Sequence, residues 1–349
     1  MLGNYQKDLD LRISVGIWFF TPGGGRFHDR YVKTATVPER IEMAADMASL
    51  GVSGIEAHYP DEINEENAHL YQQLEREKGI RTVGVGFSHF FDPVFEFGSL
   101  SNPDPSVRER AMEVAVGGLR LVQEVGADLA ISWPGNDGYR YLHGKPFMNM
   151  WDLFENGMAE AMDQVPGVRV AIEPKGYEPV ANNIYRTTAE GILAARRIEA
   201  KLRHPENLQL LEEKHALVGL NPEVGHVKMS FEILPAAYSL VAMDNRLAHT
   251  HWNSQPDGNF DQDNNLGVVN FQETEALLYA LWGIGYGGYF GIDINPENMP
   301  VKKAVEINIE ALKKMKERLG RLPHEEILEC HMKPSERRGD LELALLRNL

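Results

Sequence analysis

Cysteine is almost absent from this chain of 349 residues, in which Cys330 stands alone. A single cysteine excludes an internal disulfide and a metal site built from several thiolates. A metal site in this protein must therefore use oxygen and imidazole ligands, a set that suits Mg, Mn or Co. We expect Cys330, which lies near the C-terminus, to take no part in the chemistry.

Long apolar stretches are also missing. No segment approaches the run of about 18 uninterrupted apolar residues that is typical of a membrane span. The first twelve residues lack the apolar core of a signal peptide. We therefore expect a cytoplasmic protein with no membrane partner.

Basic residues are fewer than acidic residues in this chain. The chain has 35 Lys and Arg against 51 Asp and Glu, which gives a net charge of -16 at pH 7. An acidic surface offers no counter-charge to a phosphate backbone, which argues against nucleic acid as a partner and against a metal-dependent endonuclease. Some of the excess carboxylates are candidates for binding cations.

Short apolar segments alternate with helical patterns along most of the sequence. Eight segments are typical of buried strands because they are short, apolar and rich in β-branched or aromatic residues. They are 12–20, 53–58, 81–90, 128–133, 168–173, 216–220, 247–253 and 288–293. The predicted helices are 38–50, 65–78, 105–125, 150–163, 187–203, 230–244, 271–284 and 300–319. Within 230–244, Pro235 should bend or interrupt the helix.

Strict alternation of eight strands with eight helices predicts an α/β fold with a parallel sheet, and the number favours a (β/α)8 TIM barrel. The glycines at 23–25 form a loop and not the GxGxxG fingerprint of a dinucleotide-binding fold. We assign residues 1–320 to one catalytic barrel domain. Residues 321–349 lie beyond the eighth repeat and form a short C-terminal helical tail, which we expect to contact a neighbouring subunit or to be loosely ordered.

The stretch 246–267 concentrates side chains that bind metals. His249 and His251 alternate along a predicted strand, and Asp261 and Asp263 follow a turn. Residues two apart in an extended segment point to the same side, so each pair can approach one interior site. Taken alone, the pattern is as typical of a solvated acidic loop that follows a strand with a buried histidine.

Similar side chains stand at the carboxyl ends of the other predicted strands, where barrel enzymes have their active sites. The candidate metal ligands are Glu173, Glu223, His226, His251, Asp261, Asp263 and Asp293. They are enough for two divalent cations, which can hold adjacent oxygens of a polyol and polarise a carbonyl. Lys175 can hold a substrate oxygen as it gains negative charge. Trp18, Phe90 and Trp133 are candidates for apolar walls that exclude water.

Six stretches of the sequence together resemble xylose isomerase along nearly all of the predicted barrel. They are ISVGIW near the start, HYPD at 58–61, FFDPVF at 90–95, EPKGYEP at 173–179, LNPEVGH at 220–226 and FDQDNNLG at 260–267. The resemblance implies an aldose–ketose isomerase that uses two divalent cations, Mn, Co or Mg. The implied reaction is ring opening of a small sugar, followed by a metal-assisted hydride shift between C2 and C1. Members of this family are usually tetramers, so we expect a homo-oligomer, a tetramer or a dimer.

The resemblance also implies two metal sites. The first, which holds the substrate, corresponds to Glu173, Glu223, His251 and Asp293. The second, whose metal activates the carbonyl, corresponds to Glu223, His226, Asp261 and Asp263.

Further roles are carried over from the same motifs. His58, oriented by Asp61, is similar to the ring-opening pair, and Lys175 is similar to the lysine that binds the substrate oxygen at C1. Trp18, Phe90 and Trp133 match the hydrophobic walls, and Phe27 matches an aromatic residue that reaches into a neighbouring subunit's pocket. Asn253, at the end of the seventh strand, is a further candidate for substrate binding.

Some positions depart from the xylose isomerase pattern. Residue 251 is His where xylose isomerase has Asp, which is similar to L-rhamnose isomerase and to related ketose epimerases. Imidazole in place of a carboxylate removes one negative charge and should favour Mn or Co over Mg. Gly86, Asp92 and Asn295 stand where Thr, His and Lys are usual. These departures leave the identity of the sugar open.

Two alternative functions are compatible with the same barrel. A ketose 3-epimerase needs two carboxylates that flank C3, and the retention of Lys175 and of the DQD motif favours the isomerase instead. A non-catalytic sugar-binding barrel would be favoured by loss of Lys175 or of several ligands, and none is lost. A lyase or hydrolase on this barrel is less favoured than either.

Overall fold

A computed structural model describes residues 4–5, 7–21 and 33–348 of the chain. Eight parallel strands form one sheet within these residues and confirm the predicted (β/α)8 TIM barrel. The strands are β1 (Arg12–Gly16), β2 (Val52–Tyr59), β3 (Arg81–Phe87), β4 (Leu129–Ser132), β5 (Val170–Ile172), β6 (Val218–Leu220), β7 (His251–Trp252) and β8 (Tyr289–Ile292).

The strands pair in the order β6-β5-β4-β3-β2-β1-β8-β7. Two parallel bridges, Leu220 with Leu247 and Glu223 with His251, join β6 to the segment that contains β7 and close the ring. Regular pairing of β7 covers two residues, whereas we predicted a strand over 247–253. A two-stranded antiparallel ribbon, Gly138–Tyr139 with Asn182–Asn183, lies outside the barrel sheet.

Helices surround the sheet, and twelve α-helices occur in the described part of the chain. They are α1 (Val37–Met47), α2 (Ala68–Lys78), α3 (Pro105–Val125), α4 (Phe147–Gln164), α5 (Thr188–Glu199), α6 (Pro205–Glu212), α7 (Val224–Met229), α8 (Leu234–Met243), α9 (Phe271–Ile284), α10 (Val301–Leu319), α11 (His324–Met332) and α12 (Asp340–Asn348). Pro235 is the second residue of α8, where its missing N–H costs no helical hydrogen bond. The predicted helix 230–244 therefore begins at Leu234.

Helix α3 shows how local sequence and burial combine. The side chain of Asp104 accepts a hydrogen bond from the backbone N–H of Ser106 at 2.9 Å, and Pro105 occupies the first helical position. Buried Ala111, Ala115 and Leu119 recur every four residues and give the helix one apolar face. Helix α3 packs on β3.

The first strand is shorter than predicted, and its ending positions a tryptophan. We expected a strand over 12–20, but β1 ends at Gly16 and Ile17–Phe20 form a 3-10 helix. A Cβ atom on residue 16 would lie 2.1 Å from Cζ2 of Trp18, so only glycine lets the indole ring fold back over the strand end. This places Trp18 in the cavity at the centre of the barrel.

The C-terminal tail packs on its own barrel. Leu322 and Ile327 belong to the main hydrophobic core. His324 stacks on Tyr5 with ring centroids 4.8 Å apart, and its Nδ1 lies 3.0 Å from the hydroxyl of Tyr279. The start of the tail thus contacts the barrel, and the domain boundary at 320, the subunit contact and the loosely ordered alternative stay predictions. Among the described helices, none combines the length and the apolar character needed to cross a membrane.

Candidate active site

A cavity of about 200 Å³ opens at the carboxyl ends of the barrel strands. Its lining contains most of the site residues predicted from the sequence. These are Trp18, His58, Phe90, Trp133, Glu173, Lys175, Glu223, His226, His251, Asp261, Asp263 and Asp293. Phe27 lies outside the described residues, so its predicted role at a neighbouring subunit stays a prediction.

Four ligand-type side chains from four strand ends converge in what we name the His251 cluster. Glu173 follows β5, Glu223 follows β6, His251 lies in β7, and Asp293 follows β8. One ligand atom from each lies within 4.8 Å of the others. Nδ1 of His251 is 3.1 Å from Oε2 of Glu173 and 3.2 Å from Oδ2 of Asp293. These four residues are the ones that the resemblance assigns to a first metal site.

A second group, the His226 cluster, consists of Glu223, His226 and Asp261, with ligand atoms again within 4.8 Å of one another. Nε2 of His226 lies 3.2 Å from a carboxylate oxygen of each of the other two. Glu223 therefore belongs to both clusters and links them. Asp263 lines the cavity and its carboxyl group interacts with that of Asp261, but it is not one of the three residues of this group. Its predicted place in the second metal site stays a prediction.

Asparagine and tryptophan side chains hold the carboxylates of the two clusters in place. Asn221 donates to Oε2 of Glu173 at 2.6 Å, and the indole N–H of Trp18 donates to Oδ1 of Asp293 at 2.8 Å. Asn253 donates to Oε1 of Glu223 at 2.8 Å. Asn253 is fully buried and is not among the cavity-lining residues that the structure describes. Asn253 thus contacts a carboxylate of the clusters, and its predicted contact with substrate stays a prediction.

The charges of the two clusters favour binding of a cation. Burial, together with the charges of Asp261 and Asp293, raises the pKa of Glu223 well above its usual value. Burial and the same two neighbours raise the pKa of Asp263 in the same way. The crowded carboxylates repel one another, and a divalent cation between them would relieve that repulsion.

Unsatisfied atoms test whether a metal fits. Nδ1 of His226, Nδ1 of His251 and Oδ1 of Asp261 are buried without a hydrogen bond in the described part of the chain. Buried polar atoms of this kind are rare unless an ion or a water satisfies them. All three atoms are of the ligand types that Mg, Mn or Co accept. The residues present therefore fit divalent cations in both clusters.

Lys175 brings a positive charge to the same cavity. Its Nζ lies 2.6 Å from Oδ2 of Asp261 and 5.0 Å from the centroid of the Trp133 ring. Burial alone would lower the pKa of Lys175, but the Asp261 carboxylate outweighs burial and raises it. Burial likewise opposes the lowering of the Asp261 pKa, which Lys175 and His226 bring about. Lys175 is therefore a fixed ammonium group beside the His226 cluster.

The partner of His58 differs from the prediction. Nδ1 of His58 lies 2.9 Å from Oε2 of Glu62, a buried carboxylate that also binds Arg40 at 2.7 Å. Asp61 is exposed and accepts a hydrogen bond from the hydroxyl of Ser88 instead. The structure therefore places Glu62, and not the predicted Asp61, beside His58, because the Glu62 carboxylate is buried there whereas Asp61 is exposed.

Comparison with known proteins decides the family. Residues 44–315 match the family described as xylose isomerase-like TIM barrel. The chain belongs to this family. This barrel is 28% identical over 300 residues to the xylose isomerase of Thermus thermophilus, which covers 81% of this chain and 72% of that protein. The family that the sequence motifs indicated is thus confirmed.

Solved structures share the architecture of this xylose isomerase-like barrel. A D-tagatose 3-epimerase-like protein matches with a TM-score of 0.63 and 14% identity, covering 88% of this chain and 100% of that chain. An L-ribulose 3-epimerase matches with a TM-score of 0.60 and 15% identity, covering 89% and 94%. At such low identity these matches show the fold alone.

Aromatic rings form the apolar wall of the cavity in this xylose isomerase-like barrel. The ring centroids of Trp18 and His58 are 4.6 Å apart, and those of His58 and Phe90 are 5.3 Å apart. Phe90 continues to Trp133 at 4.7 Å. This band runs from the Asp293 side of the cavity to Lys175 and gives His58 a fixed place within it.

Of the four positions that depart from the xylose isomerase pattern, His251 and Gly86 line the cavity. Asp92 caps the 3-10 helix Pro93–Phe95, and the side chain of Asn295 accepts from the backbone N–H of Glu297. A Cβ atom on residue 86 would lie 2.6 Å from Cδ2 of His58. The glycine therefore makes room for the His58 ring.

We expect Gly86→Ala to displace His58 and to lower kcat/KM roughly a hundredfold, because misplacement of a reacting group by about 1 Å has an effect of that size. Cation binding should not change, because residue 86 contacts His58 and not the clusters. Steady-state kinetics and Mn²⁺ titration of the same sample check both statements. Gly287→Ala is the control, since a Cβ atom there meets no atom within 4 Å. Full activity in Gly86→Ala would contradict the placement of His58.

Proposed function

We propose that this protein is an aldose–ketose isomerase acting on a small sugar. The observation that carries the proposal is the pair of ligand clusters joined by Glu223, with the ammonium group of Lys175 in the same cavity. The cavity volume of about 200 Å³ lies below the usual range for drug-sized ligands and suits a monosaccharide. The relationship to a curated xylose isomerase agrees with this assignment.

We assign one divalent cation, Mn, Co or Mg, to each cluster. Bound there, such cations supply Lewis acidity and fixed anchor points for adjacent sugar oxygens. Glu173, His251 and Asp293 would hold the first cation, His226 and Asp261 the second, and Glu223 both.

The protein's own residues account for the remaining steps. Glu62 holds Nδ1 of His58, which leaves Nε2 of the imidazole to move a proton between the anomeric hydroxyl and the ring oxygen as the ring opens. Lys175 donates a hydrogen bond to the C1 oxygen as negative charge develops on it. The hydrogen on C2 then moves to C1 with its electron pair, while the C2 hydroxyl loses a proton and the C1 oxygen gains one. The aromatic band keeps water from these carbons.

The distribution of acidic groups supports isomerisation over epimerisation. A 3-epimerase removes a proton from one face of C3 and returns one to the other, which requires acid–base groups on both faces. Here the cavity's carboxylates belong to the clusters or adjoin them, Glu56 through its contact with His251. The aromatic band carries His58 as its titratable group among the described residues. The solved epimerases share the fold with this chain but give no further support to that reaction.

A substrate panel tests the proposal. Metal-stripped protein would be given D-xylose, D-glucose, L-rhamnose, L-ribose, D-ribose or D-allose, with Mn, Co or Mg added back. We expect conversion of an aldose to its ketose that depends on the added metal, with Mn or Co more effective than Mg. Interconversion of ketoses without any aldose conversion would replace the isomerase with a 3-epimerase. Metal binding without either reaction would mean that the chemistry is different.

The pH profile distinguishes Glu62 from Asp61 as the partner of His58. Burial alone would lower the pKa of His58, but the hydrogen bond and the charge of Glu62 outweigh it and raise the pKa. Since the neutral imidazole accepts the proton, activity should rise with pH through this raised pKa. In Glu62→Gln the acidic limb should move to lower pH, because the charge that favours imidazolium is gone, and the maximal rate should fall roughly a hundredfold.

Asp61→Asn is the matched control for that measurement. Asp61 is exposed and contacts Ser88, so both the acidic limb of the pH profile and the maximal rate should stay as in the wild type. Loss of activity in Asp61→Asn with a normal profile in Glu62→Gln would restore Asp61 as the orienting residue.

A further inference from the structure

Glu56 is a buried carboxylate that the proposed chemistry does not use. It lies on β2 inside the barrel, with 1% of its surface exposed. Its carboxylate accepts three hydrogen bonds, from Oγ of Ser14 at 2.7 Å, from Nε2 of His249 at 3.0 Å and from Nε2 of His251 at 2.8 Å. One of these donors, His251, belongs to the metal cluster described above.

A glycine on β8 leaves room for this group. A Cβ atom on Gly291 of β8 would lie 2.9 Å from Oε1 of Glu56, 2.8 Å from Nε2 of His249 and 2.9 Å from Cδ2 of His251. A Cβ atom on Gly84 of β3 would lie 3.4 Å from Cγ of Glu56. Gly291 therefore leaves the space that the carboxylate and the two imidazoles fill, whereas a Cβ atom on Gly84 would make only an ordinary contact with Glu56.

The hydrogen bonds determine which nitrogen of His251 carries a proton. An ionised carboxylate only accepts hydrogen bonds, so Nε2 of each imidazole must supply the N–H. A neutral imidazole with its proton on Nε2 has its lone pair on Nδ1. Nδ1 of His251 faces Glu173 and Asp293 and has no hydrogen bond among the described residues. The lone pair thus points to where the cluster would hold a cation.

We propose that Glu56 is a positioning residue that holds His251 in the tautomer and orientation that binds a cation through Nδ1. The proposal rests on the proposed function, because it takes the His251 cluster as a metal site. Glu56, His249 and His251 also offer ligand atoms within 4.8 Å of one another. Three hydrogen bonds already satisfy the Glu56 carboxylate, so we assign these residues to orientation and not to a third cation.

Residue 251 makes the assignment testable. Glu56 can orient an imidazole because the imidazole has an N–H to donate. An aspartate at position 251, as in the xylose isomerase pattern, has no N–H, and its negative charge would face that of Glu56. The effect of changing Glu56 should therefore depend on which residue occupies position 251.

Isothermal titration calorimetry of Mn²⁺ binding to metal-stripped protein measures this dependence in four proteins. They are the wild type, Glu56→Gln, His251→Asp and the double variant. In the wild-type background, Glu56→Gln should weaken one of the two Mn²⁺ sites by about 10–100-fold, the usual effect of losing such a partner. In the His251→Asp background the same change should not weaken Mn²⁺ binding, because no N–H is left to orient and a repelling charge is removed.

Two further variants test whether an effect of Glu56→Gln arises from the orientation of His251. Glu199→Gln changes a carboxylate that binds Arg246 away from the cavity, and it should leave Mn²⁺ binding unchanged. If Glu56→Gln does not fold, Glu56→Asp keeps the charge but withdraws it from His251 and should also weaken one site in the wild-type background alone.

The outcomes distinguish this inference from the function on which it rests. Equal weakening by Glu56→Gln in both backgrounds, or no weakening in either, would overturn the positioning role. Wild-type protein that binds no Mn²⁺ would overturn the proposed function and this inference together.

Discussion

Replacement of Glu223 by Gln should abolish isomerisation and weaken both cation sites at once. Glu223 is the residue that the two described clusters share, and one carboxylate serves both. The amide keeps the shape of the side chain but removes its negative charge. Lewis-acid assistance is worth several kcal/mol, so a loss of about 4 kcal/mol corresponds to a fall of roughly a thousandfold in kcat/KM. Steady-state kinetics and Mn²⁺ titration measure the two effects.

Single-cluster variants are the controls for Glu223→Gln. Asp293→Asn changes only the His251 cluster, and Asp261→Asn changes only the His226 cluster. Each should leave one Mn²⁺ site of nearly normal affinity. Two unaltered Mn²⁺ sites in Glu223→Gln would contradict the shared-ligand arrangement.

Lys175→Met should lower kcat by about a hundredfold to a thousandfold, the usual effect of removing one donor to a developing oxyanion. Because that interaction strengthens as charge develops, the loss should appear in kcat more than in KM. Mn²⁺ binding should be kept or become tighter, since Asp261 loses its ammonium partner and becomes free to bind the cation.

Lys201→Met is the control, because this lysine binds Asp152 at 2.6 Å and does not line the described cavity. Its activity should match that of the wild type. Loss of Mn²⁺ binding in Lys175→Met would mean that the lysine supports the metal sites, and normal kcat would mean that it does not contact the reacting oxygen.

The sequence predicts much of the fold and the ligand set because both depend on local pattern. Apolar segments alternate with amphipathic ones, and the ligands stand at the ends of those segments, where a parallel barrel must bring them together. Glu173, Glu223 and Asp293 follow their strands directly or within three residues, so small errors in strand ends did not displace them. The shortening of β7 to two residues likewise left His251 in place.

Details that depend on burial or on exact backbone angles could not be read from the sequence. Asp61 and Glu62 are adjacent acids, and only the fold shows that Glu62 is the one buried beside His58. The spacing of Asp261 and Asp263 predicts that both side chains approach one site, and their carboxyl groups do interact, but the positive φ of Asp263 shows that the segment is not extended there.

Contacts between distant strands of the barrel also could not be predicted from the sequence. Glu56 meets His251 although 195 positions separate them along the chain, and one sequence gives no indication that those two strands place these side chains together. The i,i+2 spacing of His249 and His251 did indicate a shared direction, and both imidazoles contact Glu56. The missing information was the identity of their partner.

The fate of the hydrogen on C2 tests the central claim most directly. An aldose that the protein converts would be incubated in D2O with Mn²⁺-loaded enzyme, and the ketose would be examined by proton NMR. Transfer of the hydrogen with its electron pair predicts a ketose that carries the original hydrogen at C1 and no deuterium at that carbon. Deuterium at C1 would contradict the hydride shift and show that a protein base exchanges the proton with solvent.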